Sequence, residues 1–420
     1  MKSIFSIITI CLIISNSLYS QDKGLVYGLS FSQTDFQSAD FFSMQPKNGE
    51  LEVLSIAKGM GLFSVGASAI DDWTREYLVW GQTAGYASSG FVFDQKTGKL
   101  IQTIKSDLAP IDLKYDSRLH KYYGLCYNDN RKGVSIIQIS GNNVKKLWVL
   151  EDIKSISVRT TAFDANRGLY IFLGRNKKGE TRLYRVNMND GVILDQPLVD
   201  DYLFTAFQYD LQDNRLYALA RKKTNVTQYF FVEINLLNAY PTIIRPLIDL
   251  KMPVLGLSTF NQKKGSYMFV GENKKGETHF YEMDVFEGSF YSKVLLNETF
   301  SELHFDNSIF ISEFFKNIVF EDKQSFSQSN SYSKNGDSFH LFDKIYVDKE
   351  IKLDDIEYIK DETIEAIVLD KWNKVVRYQK VFLRDNSIEN SVLVKDLPQG
   401  IYVLRLKTGK RTYSQRFLKN

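Results

Sequence analysis

The hexapeptide Asn176-Lys177-Lys178-Gly179-Glu180-Thr181 recurs unchanged as Asn273-Lys274-Lys275-Gly276-Glu277-Thr278, 97 residues further along the chain. The match extends upstream, where Tyr170, Phe172 and Gly174 correspond to Tyr267, Phe269 and Gly271. A second marker, an apolar residue followed by Asp or Asn, halves that interval. It falls at Ile70-Asp71, Tyr115-Asp116, Phe163-Asp164, Tyr209-Asp210, Phe260-Asn261 and Phe305-Asp306, in steps of 45, 48, 46, 51 and 45 residues. A unit of this length cannot bury its own apolar face, so neighbouring copies must stack on one another.

Each unit reads as strands. A Tyr follows the marker within six or seven residues (Tyr77, Tyr122, Tyr170, Tyr217, Tyr267), inside runs such as Glu76-Tyr77-Leu78-Val79-Trp80. A third strand, a turn of the kind Lys96-Thr97-Gly98-Lys99, and a fourth strand complete the unit. The chain is rich in Phe (30) and Tyr (24) and has only 7 Pro, which suits half-buried pleated strands. Four strands per repeat, with no convincing amphipathic helix, is the pattern of a β-propeller blade. Five whole repeats fit between about residues 61 and 298. Gly24–Ala57 supplies three further strands and Phe300–Asp306 a fourth, so the two ends together make a sixth blade and leave no open sheet edge. The expectation is an all-β chain with a six-bladed propeller over residues 21–320; seven blades would need a hidden repeat in Ile309–Phe342. On these repeats the chain resembles YVTN-type and related propellers.

Residues 1–20 read as a cleaved export signal: Lys2, an apolar run from Ile4 to Ile14 too short to span a bilayer comfortably, and Ser20 before Gln21 as the cleavage point. Its removal leaves Cys126 alone, so no internal disulfide is expected and Cys126 reads as a small buried strand residue.

Gln324–Asp337 is rich in Ser, Asn and Lys and reads as a linker, placed at 321–339. Short strand-like runs resume beyond it and suggest a small β-sandwich over 340–420. Leu397, Gly400, Tyr402 and Val403, followed by the closing Arg416-Phe417-Leu418-Lys419, resemble the type A C-terminal sorting domain of the type IX secretion system of Bacteroidetes, an Ig-like sandwich. The chain departs from that family in lacking its Pro-Asn-Pro element near Ile345–Lys352 and in having Asn373 at the usual turn glycine. The resemblance implies export through the periplasm to the cell surface or medium, with the type IX machinery as partner.

Little in the chain points to chemistry. The four His (His120, His279, His304, His340) form no metal-binding spacing, and no CxxC, GxSxG, Walker A or GxGxxG motif occurs. No metal and no cofactor are expected. The Asp of each marker suits a turn-capping role. With 53 basic and 50 acidic residues the net charge of +3 makes no case for nucleic acid. Local clustering is the place to look: the links between second and third strands carry Arg131-Lys132, Lys177-Lys178, Lys222-Lys223 and Lys274-Lys275, which read first as ordinary exposed turn residues diluted by Glu180 and Glu277, and otherwise as a candidate basic arc on one face. Its partner would be an anionic polysaccharide or the outer-membrane surface. His304 precedes a marker and reads first as a satisfied strand histidine, with a place in the channel as the alternative. Arg159 and Glu302, just ahead of two markers, are further channel candidates. The sequence therefore reads as a monomeric, exported propeller that binds a partner and is not itself an enzyme. The alternative is a secreted polysaccharide hydrolase or lyase with its site at the channel.

Overall fold

A computed structural model describes residues 24–31, 38–83, 87–128, 133–297, 300, 302–311, 346–347, 350–352, 363–370, 375–382, 391–398, 400–407 and 412–419. The signal segment with Ser20 and Gln21, the linker, His340, and Arg131-Lys132 lie outside the described residues. The chain divides into two compact units. One comprises Met1–Leu211 with Arg215–Tyr332, the other Ser333–Asn420 with Gln212–Asn214.

Among the described residues, the first unit has six four-stranded antiparallel sheets. Five are drawn from contiguous chain. The first of these is β4 (Met60–Asp71), β5 (Glu76–Thr83), β6 (Ser88–Asp94) and β7 (Leu100–Lys105). The next is β8 (Asp112–Asp116), β9 (Lys121–Tyr127), β10 (Val134–Ser140) and β11 (Asn143–Leu150). Then come β12 (Ile153–Asp164), β13 (Leu169–Asn176), β14 (Thr181–Asn187) and β15 (Ile193–Asp195), followed by β16 (Tyr202–Asp210), β17 (Arg215–Lys222), β18 (Asn225–Ile234) and β19 (Pro241–Leu247). The last is β20 (Leu250–Asn261), β21 (Ser266–Asn273), β22 (Thr278–Asp284) and β23 (Phe290–Leu295). The remaining sheet joins the two ends of the unit: β24 (Glu302–Phe305) pairs with β1 (Val26–Phe31), and β2 (Ser38–Met44) and β3 (Leu51–Lys58) follow in the order β24-β1-β2-β3. The first strands touch in cyclic order, β4 to β8, β12, β16, β20, β24 and back to β4.

Burial follows the sequence pattern. Second strands are buried nearly throughout, whereas fourth strands such as β23 alternate toward solvent. The core lies between sheets: Tyr217 and Phe231 pack against Phe260, Tyr267 and Phe269 of the following sheet. The closing sheet is held on both faces, by Tyr77, Phe91 and Phe93 on one side and by Met268, Val270 and Phe280 on the other. Aromatic residues suit this role because flat rings fill the gap between twisted sheets; Tyr217 and Phe260 stack at 6.0 Å and 8°. The marker Asp residues cap the first turns. Asp71 Oδ1 accepts from the Trp73 and Thr74 amides at 2.8 and 3.1 Å, and Asp116 Oδ1 from Arg118 and Leu119 at 2.9 and 3.1 Å. Cys126 is buried on β9.

The second unit has a five-stranded sheet of β25 (Tyr346–Val347), β31 (Thr412–Lys419), β30 (Gly400–Lys407), β27 (Thr363–Asp370) and β28 (Val375–Phe382), in that order. A two-stranded ribbon pairs β26 (Glu350–Lys352) with β29 (Ser391–Leu393). Tyr402, Leu404 and Leu406 share the buried face of β30 and pack with Ile364, Val368 and Phe417.

Candidate functional site

The first strands do not run straight. Pairing with the second strand slips between Phe63 and Ser68, between Ile156 and Thr161, between Thr205 and Gln208, and between Pro253 and Ser258. Such bulges re-aim side chains. Inside three of them a residue takes left-handed backbone: Arg159 at φ 66°, Ala206 at φ 61° and Gly256 at φ 83°. Glycine adopts this conformation freely, whereas a non-glycine residue there costs on the order of 1 kcal/mol or more. Arg159 thus holds a place for which its own repeat, at Gly256, uses glycine.

The strain carries the Arg159 side chain to the far end of the chain. Its guanidinium meets the Glu302 carboxylate in a fork, with Nη2 to Oε1 at 2.9 Å and Nη1 to Oε2 at 3.1 Å, and both side chains are buried. The guanidinium lies against Gly256, where a Cβ would fall 1.8 Å from Arg159 Cζ, so Gly256 is needed for space as well as for φ. Ser68 Oγ donates to Glu302 Oε2 at 2.6 Å and lies 2.8 Å from His304 Nε2. The proton count is informative. Ser68 has one hydroxyl proton, and the carboxylate takes it, so His304 must be the donor from Nε2 and keep Nδ1 bare. Ser68 is therefore not a nucleophile with His304 as its base, because the ring nitrogen facing it already holds a proton.

Arg159, Glu302, Ser68 and His304 line a half-open cavity of about 160 Å³ where the first strands come together. Burial, then the positive charges of Lys114 and Arg159, pushes the His304 imidazole down to about 3, so the ring stays neutral across ordinary pH. Asp72 on the same wall shifts the other way: burial first, then the carboxylates of Asp306 and Asp71, hold it well above the usual carboxylate range. Lys114 is neutralised by Asp112, 2.9 Å away, and keeps 24% side-chain exposure.

The lysine pairs lie elsewhere. Lys177, Lys178, Lys222, Lys223, Lys274 and Lys275 are exposed beside the starts of the first strands, Lys222 at the end of β17 and the others in turns, and none lines the cavity. The duplicated hexapeptide folds the same way twice. Asn176 Oδ1 accepts from the Glu180 amide at 2.9 Å while its Nδ2 donates to Glu180 Oε2 at 2.8 Å; Asn273 and Glu277 repeat this at 3.0 and 2.7 Å. One amide of each turn anchors it to the adjoining link: Lys177 N to Asp152 O, Lys223 N to Asp201 O, and Lys274 N to Asp249 O. Each described basic turn thus has an acidic residue beside it, and Lys177 Nζ lies 4.0 Å from Asp152 with both side chains well solvated, an interaction worth little.

In the tail, Leu397, Tyr402 and Phe417 are core residues. Tyr402 donates to the Pro398 carbonyl at 2.8 Å and stacks on Phe417 at 5.7 Å. Gly400 and Val403 pair in register with Lys419 and Arg416 across β30 and β31.

Sequence reasoning named Arg159 and Glu302 as channel candidates and His304 apart from them, and the structure brings all three together. It passed over Ser68, Asp72, Lys114 and Gln208. A signal for part of this set was present: the residue just before the marker in all six repeats, Ala69, Lys114, Ala162, Gln208, Thr259 and His304, lines the cavity. Among the described residues, no group of three His, Cys, Asp or Glu is placed to hold a metal ion.

No family model matches the chain, and no curated protein matches its sequence. Similar solved structures include TolB from Acinetobacter baumannii, at 10% identity and a TM-score of 0.51, where the match covers 67% of this chain and 66% of that one. The periplasmic gluconolactonase PpgL of Pseudomonas aeruginosa aligns at 9% identity and TM-score 0.44, over 67% of this chain and 98% of its own. The β-propeller domain of Cps50 (Swd1) from Myceliophteria thermophila aligns at 10% identity and TM-score 0.41, over 66% and 88%. The likeness to TolB is one of fold, and with the four-stranded sheets in cyclic contact it makes the chain a β-propeller protein.

Proposed function

We propose that the six sheets are the blades of a six-bladed propeller, that the tail is a type IX sorting domain with an Ig-like fold, and that the exported protein binds a partner without catalysis of its own. The observation that carries the binding reading is the repeated turn. Asn176 and Asn273 hold their loops in one shape, occupy Glu180 and Glu277, and leave both lysines of each pair exposed at equivalent sheet ends. Equivalent turns on neighbouring blades present cations at regular intervals, which suits a repeating polyanion such as an acidic glycan or a charged envelope surface. The adjoining Asp152, Asp201 and Asp249 limit the net field, so affinity would come from many weak contacts and fall with salt.

The ligand is tested by a glycan array on the purified full chain. Retention of uronic or sulfated sugars, weakened at least tenfold when Arg131, Lys132, Lys177, Lys178, Lys222, Lys223, Lys274 and Lys275 are all replaced by Ser, supports the reading. Unchanged retention in the octet variant sinks it. The opposed shifts of Asp72 and His304 are the observation on the side of a channel hydrolase or lyase, and turnover of any arrayed sugar would install that alternative. For export, deletion of residues 340–420 should leave the protein in the periplasm. Its appearance in the medium would end the sorting-domain reading.

A further inference from the structure

Six equivalent positions, one per first strand, face the cavity: in cyclic order Ala69, Lys114, Ala162, Gln208, Thr259 and His304. Four carry polar groups, and each has bonds that fix what remains to offer. Lys114 Nζ donates to Asp112 Oδ1 at 2.9 Å and to the Leu113 carbonyl at 3.1 Å, which leaves one proton. Gln208 Nε2 donates to Ser258 O at 2.9 Å and Ser258 Oγ at 3.0 Å, which leaves the carbonyl oxygen. Thr259 Oγ1 accepts from the Phe305 amide at 2.7 Å, which leaves its hydroxyl proton. His304 uses its Nε2 proton on Ser68, which leaves the Nδ1 lone pair. Around the ring the remaining groups read donor, acceptor, donor, acceptor. The two alanines open space between them.

Charge sets the ligand class. The cations on this wall are already matched, Lys114 by Asp112 and Arg159 by Glu302. A charged ligand would bring an unmatched charge into a partly desolvated site, which is costly. A neutral molecule whose hydroxyls both donate and accept meets an alternating ring without that penalty. The volume of about 160 Å³ holds on the order of ten waters, room for one sugar-sized ring. Phe163, Phe207 and Phe260 supply apolar wall for the C–H faces of such a ring.

We propose that the cavity is a binding site for one compact, uncharged polyhydroxylated ligand of single-sugar size, held by Lys114, Gln208, Thr259 and His304. The site is separate from the lysine turns and does not depend on their reading.

Titration of the full chain with glucose, galactose, mannose and myo-inositol, with glucuronate as the charged control, tests this by calorimetry. At least one neutral probe should bind saturably, and glucuronate more weakly. His304→Phe, which keeps a ring against Tyr77, and Ala162→Leu, which fills the space, should each weaken binding at least tenfold; Ala69→Val replaces the latter if it does not fold. Nitrogen NMR of His304 gives a second readout: the Nε2–H tautomer in the free protein, with the Nδ1 shift moving on addition of the probe. The octet-to-serine protein should bind the neutral probe as the parent does. No binding of any neutral probe at millimolar concentration, tighter binding of glucuronate, full affinity in both cavity-side variants, or loss in the octet variant would each overturn the proposal.

Discussion

The duplicated turns and the cavity are built from the same repeats in opposite ways. At Asn176–Thr181 and Asn273–Thr278 the copies agree: the same residues make the same local side-chain bonds, and one amide of each turn bonds the link just ahead of its sheet. In the cavity the copies disagree. One position reads Ala, Lys, Ala, Gln, Thr and His, another has Arg where its repeat has Gly, and the bonds span 143 residues between Arg159 and Glu302 and 236 between Ser68 and His304. Repetition makes architecture, and departures from it make a site.

The sharpest way to break that comparison is at the ion pair. Arg159→Leu leaves Glu302 buried without its cation and should lower unfolding free energy by about 3–5 kcal/mol. Arg159→Leu with Glu302→Leu should recover most of that loss, because the orphaned charge goes with its partner. Chemical denaturation of both proteins measures the pair; a double variant no better than the single would show that the fork does more than neutralise charge.

Protonation gives a smaller effect with a defined sign. His304 titrates at about 3 in the folded chain, against 6.5 when unfolded. Between those values the unfolded chain binds the extra proton, so this residue's contribution is complete above pH 6.5 and is lost as pH falls toward 3. Asp72 has the opposite sign, since its raised carboxyl makes the folded chain the better proton binder as pH rises from the carboxylate range. Comparing the parent with His304→Gln isolates the histidine: the parent should lose more stability between pH 7 and pH 4 than the variant. Parallel curves would mean that His304 takes up its proton at the same pH in the folded and unfolded chain, against the lowering that burial predicts.

The smallest effects belong to the turns. Asn176→Ala and Asn273→Ala should each lower stability by about 1 kcal/mol, the worth of a local side-chain bond to backbone. The two losses should add within about 0.5 kcal/mol, because the sites share no partner. Strong coupling between them, read by the same denaturation, would contradict the picture of self-contained turns.

Much of the propeller was legible because its signals are local and periodic. Alternation placed the strands, the marker residues Asp71, Asp116, Asp164, Asn261 and Asp306 capped turns, and the Tyr six or seven residues on fell in the second strand. Pairing of the chain ends was legible too, since three strands at one end and one at the other complete a sheet. Arg159, Glu302 and His304 could be noticed but not joined, because a bulge that turns Arg159 to φ 66° leaves no periodic trace. Ser68 and Asp72 carried no signal, being ordinary residues until the ring closes around them.

The sequence by itself determined the repeat, the strands and the turn chemistry, which are set by neighbours a few positions away. Only the tertiary structure decided that Arg159 reaches Glu302, that Ser68 spends its one proton there, and that His304 therefore presents a bare nitrogen. Those facts depend on where six first strands come together, and distance in space is not written in the spacing of residues along the chain.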